Sequence, residues 1–323
     1  MGKSVKQITI VKDWGWPDLR RQTPNGDGVW EGLHFSIDTA AACDVLVVLN
    51  NRLSVPFTTT VSGNNCWALM QEPYAKGVTD WMVEKHAVFD RVFSNCIPST
   101  DDKYVRSQPA IPWHINLSYT ELVNLPVPEK KRPLSWIVGN VKDLPGHIKR
   151  WNFLEALQQT PSVNIDLFGK AVRFIEYKNE GLLPYRYAVA VENTFAEDYW
   201  TEKIADCWLA WSVPIYYGCP NLEHYFPADA FIRIDIETPE KAVARLQEVV
   251  AHDDWQKRLP AIAEARNLIL HRYQLFPHLL ELIKTYADRS RITRPVTVPA
   301  YRRSLKAYAH RRLYKLRKAL GRI

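Results

Sequence analysis

Tyr185-Arg186-Tyr187-Ala188-Val189-Ala190-Val191-Glu192-Asn193-Thr194, followed after three residues by Asp198-Tyr199-Trp200-Thr201-Glu202-Lys203, decides the fold. A short apolar run ends in a polar turn, and a helix then opens on Thr-Glu-Lys. This pattern predicts a buried strand whose carboxyl end lies beside a helix start. Glu192, Asn193, Glu202 and Lys203 gather there. Helix N-terminal amides attract phosphate, a lysine adds a full positive charge, and carboxylates accept hydrogen bonds from sugar hydroxyls. An anionic, hydroxyl-rich ligand such as a nucleotide sugar suits that chemistry.

Working outward, apolar runs end in small or polar residues at Gly139-Asn140, Gly169-Lys170 and Gly218-Cys219. Helical spacing fills 147–159, with Trp151, Leu154 and Leu157 on one side. Strands are expected at 134–140, 163–169, 213–218 and 231–235, and helices over 239–252 and 253–287. Upstream, Ile8-Thr9-Ile10-Val11, the continuous apolar run 44–50, Cys66-Trp67-Ala68-Leu69-Met70 and Arg91-Val92-Phe93-Ser94 read as strands. Residues 79–89 read as a helix. Continuous apolar strands alternating with helices imply open parallel sheets covered on both faces. Ligands in such sheets bind outside the carboxyl ends of the strands.

A chain of 323 residues exceeds one simple core, so two domains are expected. The proline-rich stretch 109–133 reads as their linker. The expected division is 1–128, 129–288 and a tail, 289–323. Of the 42 Lys and Arg, 12 lie in that tail, which has no Asp or Glu; the body keeps 30 basic against 35 acidic side chains. Within 301–323, Leu305, Tyr308, Leu313, Leu316, Leu320 and Ile323 form an apolar stripe, and eight or more Lys and Arg cover the rest. A basic amphipathic helix suits an anionic membrane surface better than nucleic acid. The five cysteines form no C-x-x-C pair and read as reduced thiols of a cytosolic protein. No apolar run reaches membrane-spanning length. There is no Asp-x-Asp at a strand end, and His and Cys are too scattered for zinc, so no metal site is expected.

These motifs carry a family resemblance. YRYAVAVENTFAEDYWTEK resembles the signature of the α-1,3/1,4-fucosyltransferases, in which an apolar strand runs into Glu-Asn-Ser/Thr and then Asp-Tyr-x-Thr-Glu-Lys. WIVGN, IDLFGK and VPIYYGCPNLEHYFPADAFIRID resemble the segments that flank it, so the likeness covers about 134–236. The chain departs from the pattern at Gly139, where the family has Ser, and at Asp235-Ile236-Glu237, where it often has Asp-Asp-Phe.

The resemblance implies two Rossmann-like α/β domains facing a cleft, the glycosyltransferase-B architecture. It implies an inverting enzyme that moves fucose from GDP-fucose to a glycan hydroxyl, with no essential cofactor and no required divalent cation. By similarity Lys203 and Arg150 contact the diphosphate, with Lys149 next door leaving that second assignment open. Asn193 bonds the donor, Glu202 accepts from its hydroxyls, and Tyr199 flanks the nucleotide. Glu192 either joins them or supports the strand-end turn. Glu72, after the strand CWALM, is the leading candidate for the base, with a pKa raised by an apolar wall. Its rivals are Glu31, His34 and Asp38, on an expected loop. Cytoplasmic placement at the inner membrane face, with a bacterial surface-glycan precursor as acceptor, completes the expectation. Other nucleotide-sugar donors, or a glycan-binding protein without catalysis, are the alternatives.

Overall fold

The computed structural model describes residues 5–141, 145–170 and 172–321. The chain divides into two compact units, 1–110 with 275–323, and 111–274. The boundary therefore falls at the start of the expected linker, before the expected division at 128, and the chain returns to the first unit at Leu275. Residues 111–133 are no free spacer, because Trp113, Ile115 and Leu122 are buried in the second unit's core. Ser118 opens the helix Tyr119–Asn124 within that stretch with a reciprocal capping box to Glu121.

The second unit is built on five parallel strands in the order Asp166–Phe168, Arg132–Ile137, Tyr185–Val191, Val213–Tyr217, Ile232–Arg233. Numbered along the chain this order is 2-1-3-4-5. The direction of winding reverses between the first and third strands, which opens a crevice at their carboxyl ends. Tyr185–Val191 is buried at nearly every position because strands flank it on both sides and helices cover its faces. Most of the abundant aromatic residues serve packing; Trp136, Phe153, Tyr187 and Trp208 lie within this core.

The first unit has seven strands in the order Val29–Trp30, Leu33–Ile37, Gln7–Val11, Val45–Leu49, Cys66–Leu69, Arg91–Ser94, Tyr104–Arg106. All pairs are parallel except the first. The expected loop around Glu31 and His34 is thus a β-hairpin, turned by Glu31 and Gly32 at φ 45° and 78°. Residues 79–89 contain one short 3-10 turn, Asp80–Met82, instead of the expected helix. A further strand, Thr293–Val298, pairs antiparallel with Phe57–Ser62. The five cysteines are free, four of them buried.

The chain ends in the helix Leu305–Ala319, which packs on the first unit and begins at the N-cap Ser304. Its inner face carries Ala307, His310 and Tyr314. Gly77 allows the close approach, since a Cβ there would lie 2.7 Å from the carbonyl oxygen of His310. The expected stripe lies on the opposite face, with Leu305, Tyr308, Leu313, Leu316 and Leu320 exposed. Arg322 and Ile323 lie outside the described residues.

Candidate functional site

A hollow of about 490 Å³ opens at the carboxyl ends of Arg132–Ile137, Asp166–Phe168 and Tyr185–Val191. Gly139, Asn140, Gly169, Lys170 and Asn193 line it, so three of the strand ends expected from sequence converge. Gly218 and Cys219, at the fourth, lie elsewhere on the same sheet edge. Gly146, in the first turn of the helix Pro145–Gln158, is fixed by contact: a Cβ would sit 2.0 Å from the carbonyl oxygen of Asn193. That contact brings the amino end of the helix against the strand-end turn.

Arg150 reaches into this hollow from the same helix and is 5% exposed. One guanidinium nitrogen donates to Asn193 Oδ1 at 3.0 Å, the other to the carbonyls of Val141 at 3.2 Å and Gly139 at 3.3 Å. Its Nε is buried with no hydrogen-bond partner. All these acceptors are neutral, and among the described residues no carboxylate pairs with it. Burial pushes its pKa down, offset in part by the charge of Glu192. A desolvated guanidinium without a counter-ion is costly. It is poised for an oxyanion, which it grips with two nitrogens.

Lys203 enters from the start of the helix Glu202–Leu209, where the Thr201 side chain caps the first turn. Its ammonium lies 3.2 Å from Glu192, 3.0 Å from Thr201 Oγ1 and 3.6 Å from Glu202. It is therefore committed to carboxylates before any ligand arrives. Glu192 is fully buried and accepts the Thr201 backbone N–H at 2.8 Å and the Thr201 hydroxyl. This is the turn-supporting alternative for Glu192. Burial pushes its carboxyl pKa up, against the pull of Lys203.

Glu202 lines the hollow beside two lysines and a histidine. Burial alone raises its carboxyl pKa, but Lys203, His114 and Lys178 outweigh that and hold it well below the usual range. It stays ionised and accepting. Lys178 lies 2.6 Å from Asp206 and 3.8 Å from Glu202. Asp206 Oδ1 in turn accepts the backbone N–H groups of His114 and Ile115 at 2.9 and 3.0 Å. His114, Lys178 and Asp206 are lining residues that sequence reasoning missed. The isolated Lys178 in a short helix gave no signal, and only tertiary packing brings it to Asp206.

The remaining candidates lie elsewhere. Tyr199 is 1% exposed and is not among the residues that line the hollow. Lys149 forms an ion pair with Glu237 outside it, which leaves Arg150 as the guanidinium of this site. Glu72 belongs to the first unit, exposed, just past the carboxyl end of Cys66–Leu69. Asp38 accepts the Lys12 backbone N–H at 2.9 Å and pairs with its ammonium, a structural commitment. Among the described residues no group of three or more His, Cys, Asp or Glu is arranged to hold a metal ion.

Two units built on open, mainly parallel α/β sheets, one with a hollow at its strand ends, give the chain an architecture that can be compared with known proteins. Residues 127–258 match the family model described as glycosyltransferase family 10 (fucosyltransferase), C-terminal part, and this segment belongs to that family. The 4-galactosyl-N-acetylglucosaminide 3-alpha-L-fucosyltransferase 9 of Cricetulus griseus is 33% identical over 146 residues, 41% of this chain and 39% of that protein. The Homo sapiens protein of the same name is 32% identical over the same shares. The match thus spans about two fifths of these relatives' length.

Among solved structures, an alpha-glucosyltransferase in complex with UDP-glucose and DNA containing an abasic site shares the fold. Its TM-score is 0.52 at 10% identity, over 86% of this chain and 99% of that one. An alpha1,3-fucosyltransferase with GDP aligns at a TM-score of 0.49 and 16% identity, over 84% of this chain and 93% of that one.

Proposed function

We propose that this protein is an inverting fucosyltransferase that moves fucose from GDP-fucose to a hydroxyl of a glycan acceptor. The observation that carries the reading is Arg150, a buried guanidinium with no carboxylate partner among the described residues, in a hollow of the family 10 segment. A departing nucleoside diphosphate supplies the missing anion. In a water-poor site a preformed donor aimed at developing charge lowers the barrier without reorganising.

In this mechanism the acceptor oxygen attacks the anomeric carbon as the bond to the GDP oxygen breaks. Inversion follows from that single displacement. The hydroxyl proton passes to a base, for which Glu72 is the candidate. Arg150 and Lys203 take up charge on the leaving diphosphate, and Asn193, held by Arg150, orients the donor. Glu202, kept ionised by its cations, accepts from donor hydroxyls. Charge neutralisation by these side chains makes a divalent cation unnecessary.

The exposed leucines and basic side chains of Leu305–Ala319 support docking at an anionic membrane. No helix among the described residues is long and apolar enough to cross one. The proposed setting is the cytoplasmic face of a bacterial inner membrane, with a surface-polysaccharide or lipopolysaccharide precursor as acceptor and no nucleic-acid partner.

Thermal-shift titration with GDP, UDP and CMP tests the donor. GDP is expected to raise Tm most; no stabilisation by any nucleotide leaves a glycan-binding role, and a preference for UDP replaces the donor. Incubation with GDP-fucose and a glycan panel, followed by product analysis, tests transfer. Glu72→Gln is expected to keep GDP binding and lose turnover by about a hundredfold or more. Normal turnover removes it as the base.

A further inference from the structure

A second hollow, of about 740 Å³, opens in the 111–274 unit, and Lys149, Phe195, Tyr217, Arg233, Asp235 and Glu237 are on its walls. It adjoins the donor hollow along the chain at two places. Arg150 and Asn193 line the donor hollow, while Lys149 and Phe195 line this one. The helix Pro145–Gln158 and the turn after Tyr185–Val191 therefore serve both.

Phe195 is 57% exposed, and its ring centroid lies 5.5 Å from that of the buried Tyr217. The Tyr217 hydroxyl donates to Glu237 Oε1 at 2.6 Å, and the Lys149 ammonium donates to the same oxygen. Asp235 Oδ1 accepts the Glu237 backbone N–H at 2.9 Å. Arg233 is turned toward Glu223 and the carbonyls of Cys219 and Pro220. Both cations are thus neutralised, and Asp235, which has no cationic partner among the described residues, adds a negative charge beside an open aromatic face. A phosphate is repelled by such a rim. A pyranose fits it, with its C–H face against the ring and its hydroxyls donating to the carboxylates.

We propose that this hollow binds one pyranose ring of the acceptor glycan, next to the donor. The proposal rests on the transferase reading above, because it supplies the acceptor's place.

The test uses the full chain with GDP present and N-acetyllactosamine as the probe, read by saturation-transfer NMR. Saturation is expected to reach the C–H protons of one sugar ring, and to fall about fivefold or more in Phe195→Ala and in Glu237→Gln. The Tm rise given by GDP is expected to stay unchanged in both variants, which also shows that they fold. Undiminished transfer in both variants overturns the proposal, as does absence of transfer to N-acetyllactosamine, lactose and N-acetylglucosamine alike. A Phe195→Ala loss confined to the extra stabilisation by GDP-fucose over GDP places the donor's own sugar there and overturns the acceptor assignment. Failure of GDP to stabilise the wild-type chain refutes the donor reading instead, and leaves the sugar result to stand or fall separately.

Discussion

Arg150 and Lys203 look equivalent as two cations of one motif-bearing segment, yet their surroundings give them different energetics. Arg150 bonds only neutral oxygens, whereas Lys203 is held by the buried Glu192. Arg150→Met removes a desolvated charge that has no ionic partner among the described residues. It is expected to change the ligand-free unfolding free energy by no more than about 1 kcal/mol while weakening GDP by about tenfold or more. Chemical denaturation paired with GDP titration checks both; unchanged GDP affinity excludes Arg150 from the site. Lys203→Met instead strands a buried carboxylate and costs about 3 kcal/mol before any ligand is added. Loss of GDP binding there is interpretable only beside Lys203→Met with Glu192→Gln, which restores stability and isolates the contact. At this scale the sequence exposed Arg150, Asn193, Glu202 and Lys203, because they sit at motif positions one strand or helix end apart. It hid Lys178 and Asp206, whose partnership joins residues 28 positions apart. Tyr199 is buried and outside the lining, because residue type does not tell whether a ring faces a hollow.

The elements that carry the site are tied together by a lysine. Lys130 is 7% exposed, and its ammonium reaches the carbonyl of Ala210 at 2.6 Å, that of Leu182 at 3.3 Å and the Ser212 hydroxyl at 3.2 Å. Leu182 ends the helix Lys178–Leu182, and Ala210 is the C-cap of Glu202–Leu209, so one cation caps two helix ends. Burial nevertheless pushes its pKa down to about 7. The unfolded chain, with an ordinary lysine, binds more protons above that value, so stability rises with pH from about 7 towards 10 and lacks this gain below 7. Between pH 7 and pH 9 the wild type is expected to gain about 2 kcal/mol more than Lys130→Met does. Urea titrations at the two pH values measure it, and equal gains refute the capping-amine account. Strands of the second unit were legible because parallel strands covered on both faces read as unbroken apolar runs. Residues 79–89 misled because their carbonyls are satisfied from outside. The Asn51 amide donates to the carbonyl of Glu84 at 2.9 Å, and Lys85 has a φ of 63°. Local propensity for a helix loses to that tertiary bond.

For the whole molecule, the uneven charge of the chain acquires a location. Eleven of the 12 basic side chains of 289–323 lie within the described residues, in a segment that folds onto the first unit. The pairing of Phe57–Ser62 with Thr293–Val298 was invisible in sequence, since both strands are short, partly polar and more than 200 residues apart. It changes how membrane docking must be tested. Deleting 289–323 removes a paired strand and uncovers Val61, so loss of binding then reports damage to the fold. The two faces of Leu305–Ala319 allow a cleaner experiment. Ala307 and Tyr314 hold the helix to the unit, and Leu313, Leu316 and Leu320 are on the exposed side. Replacing those three leucines with serine removes apolar area worth about 1.5 kcal/mol or more per side chain on insertion, while the inner face and every basic charge remain. The triple variant is expected to keep the wild-type Tm. Its sedimentation with vesicles containing phosphatidylserine is expected to fall by at least about tenfold, and wild-type sedimentation is expected to weaken as salt is raised. Unchanged sedimentation of the triple variant shows that the leucines do not enter a bilayer. Binding that vanishes for the wild type at moderate salt, with no difference between the two proteins, reduces the helix to a cationic patch.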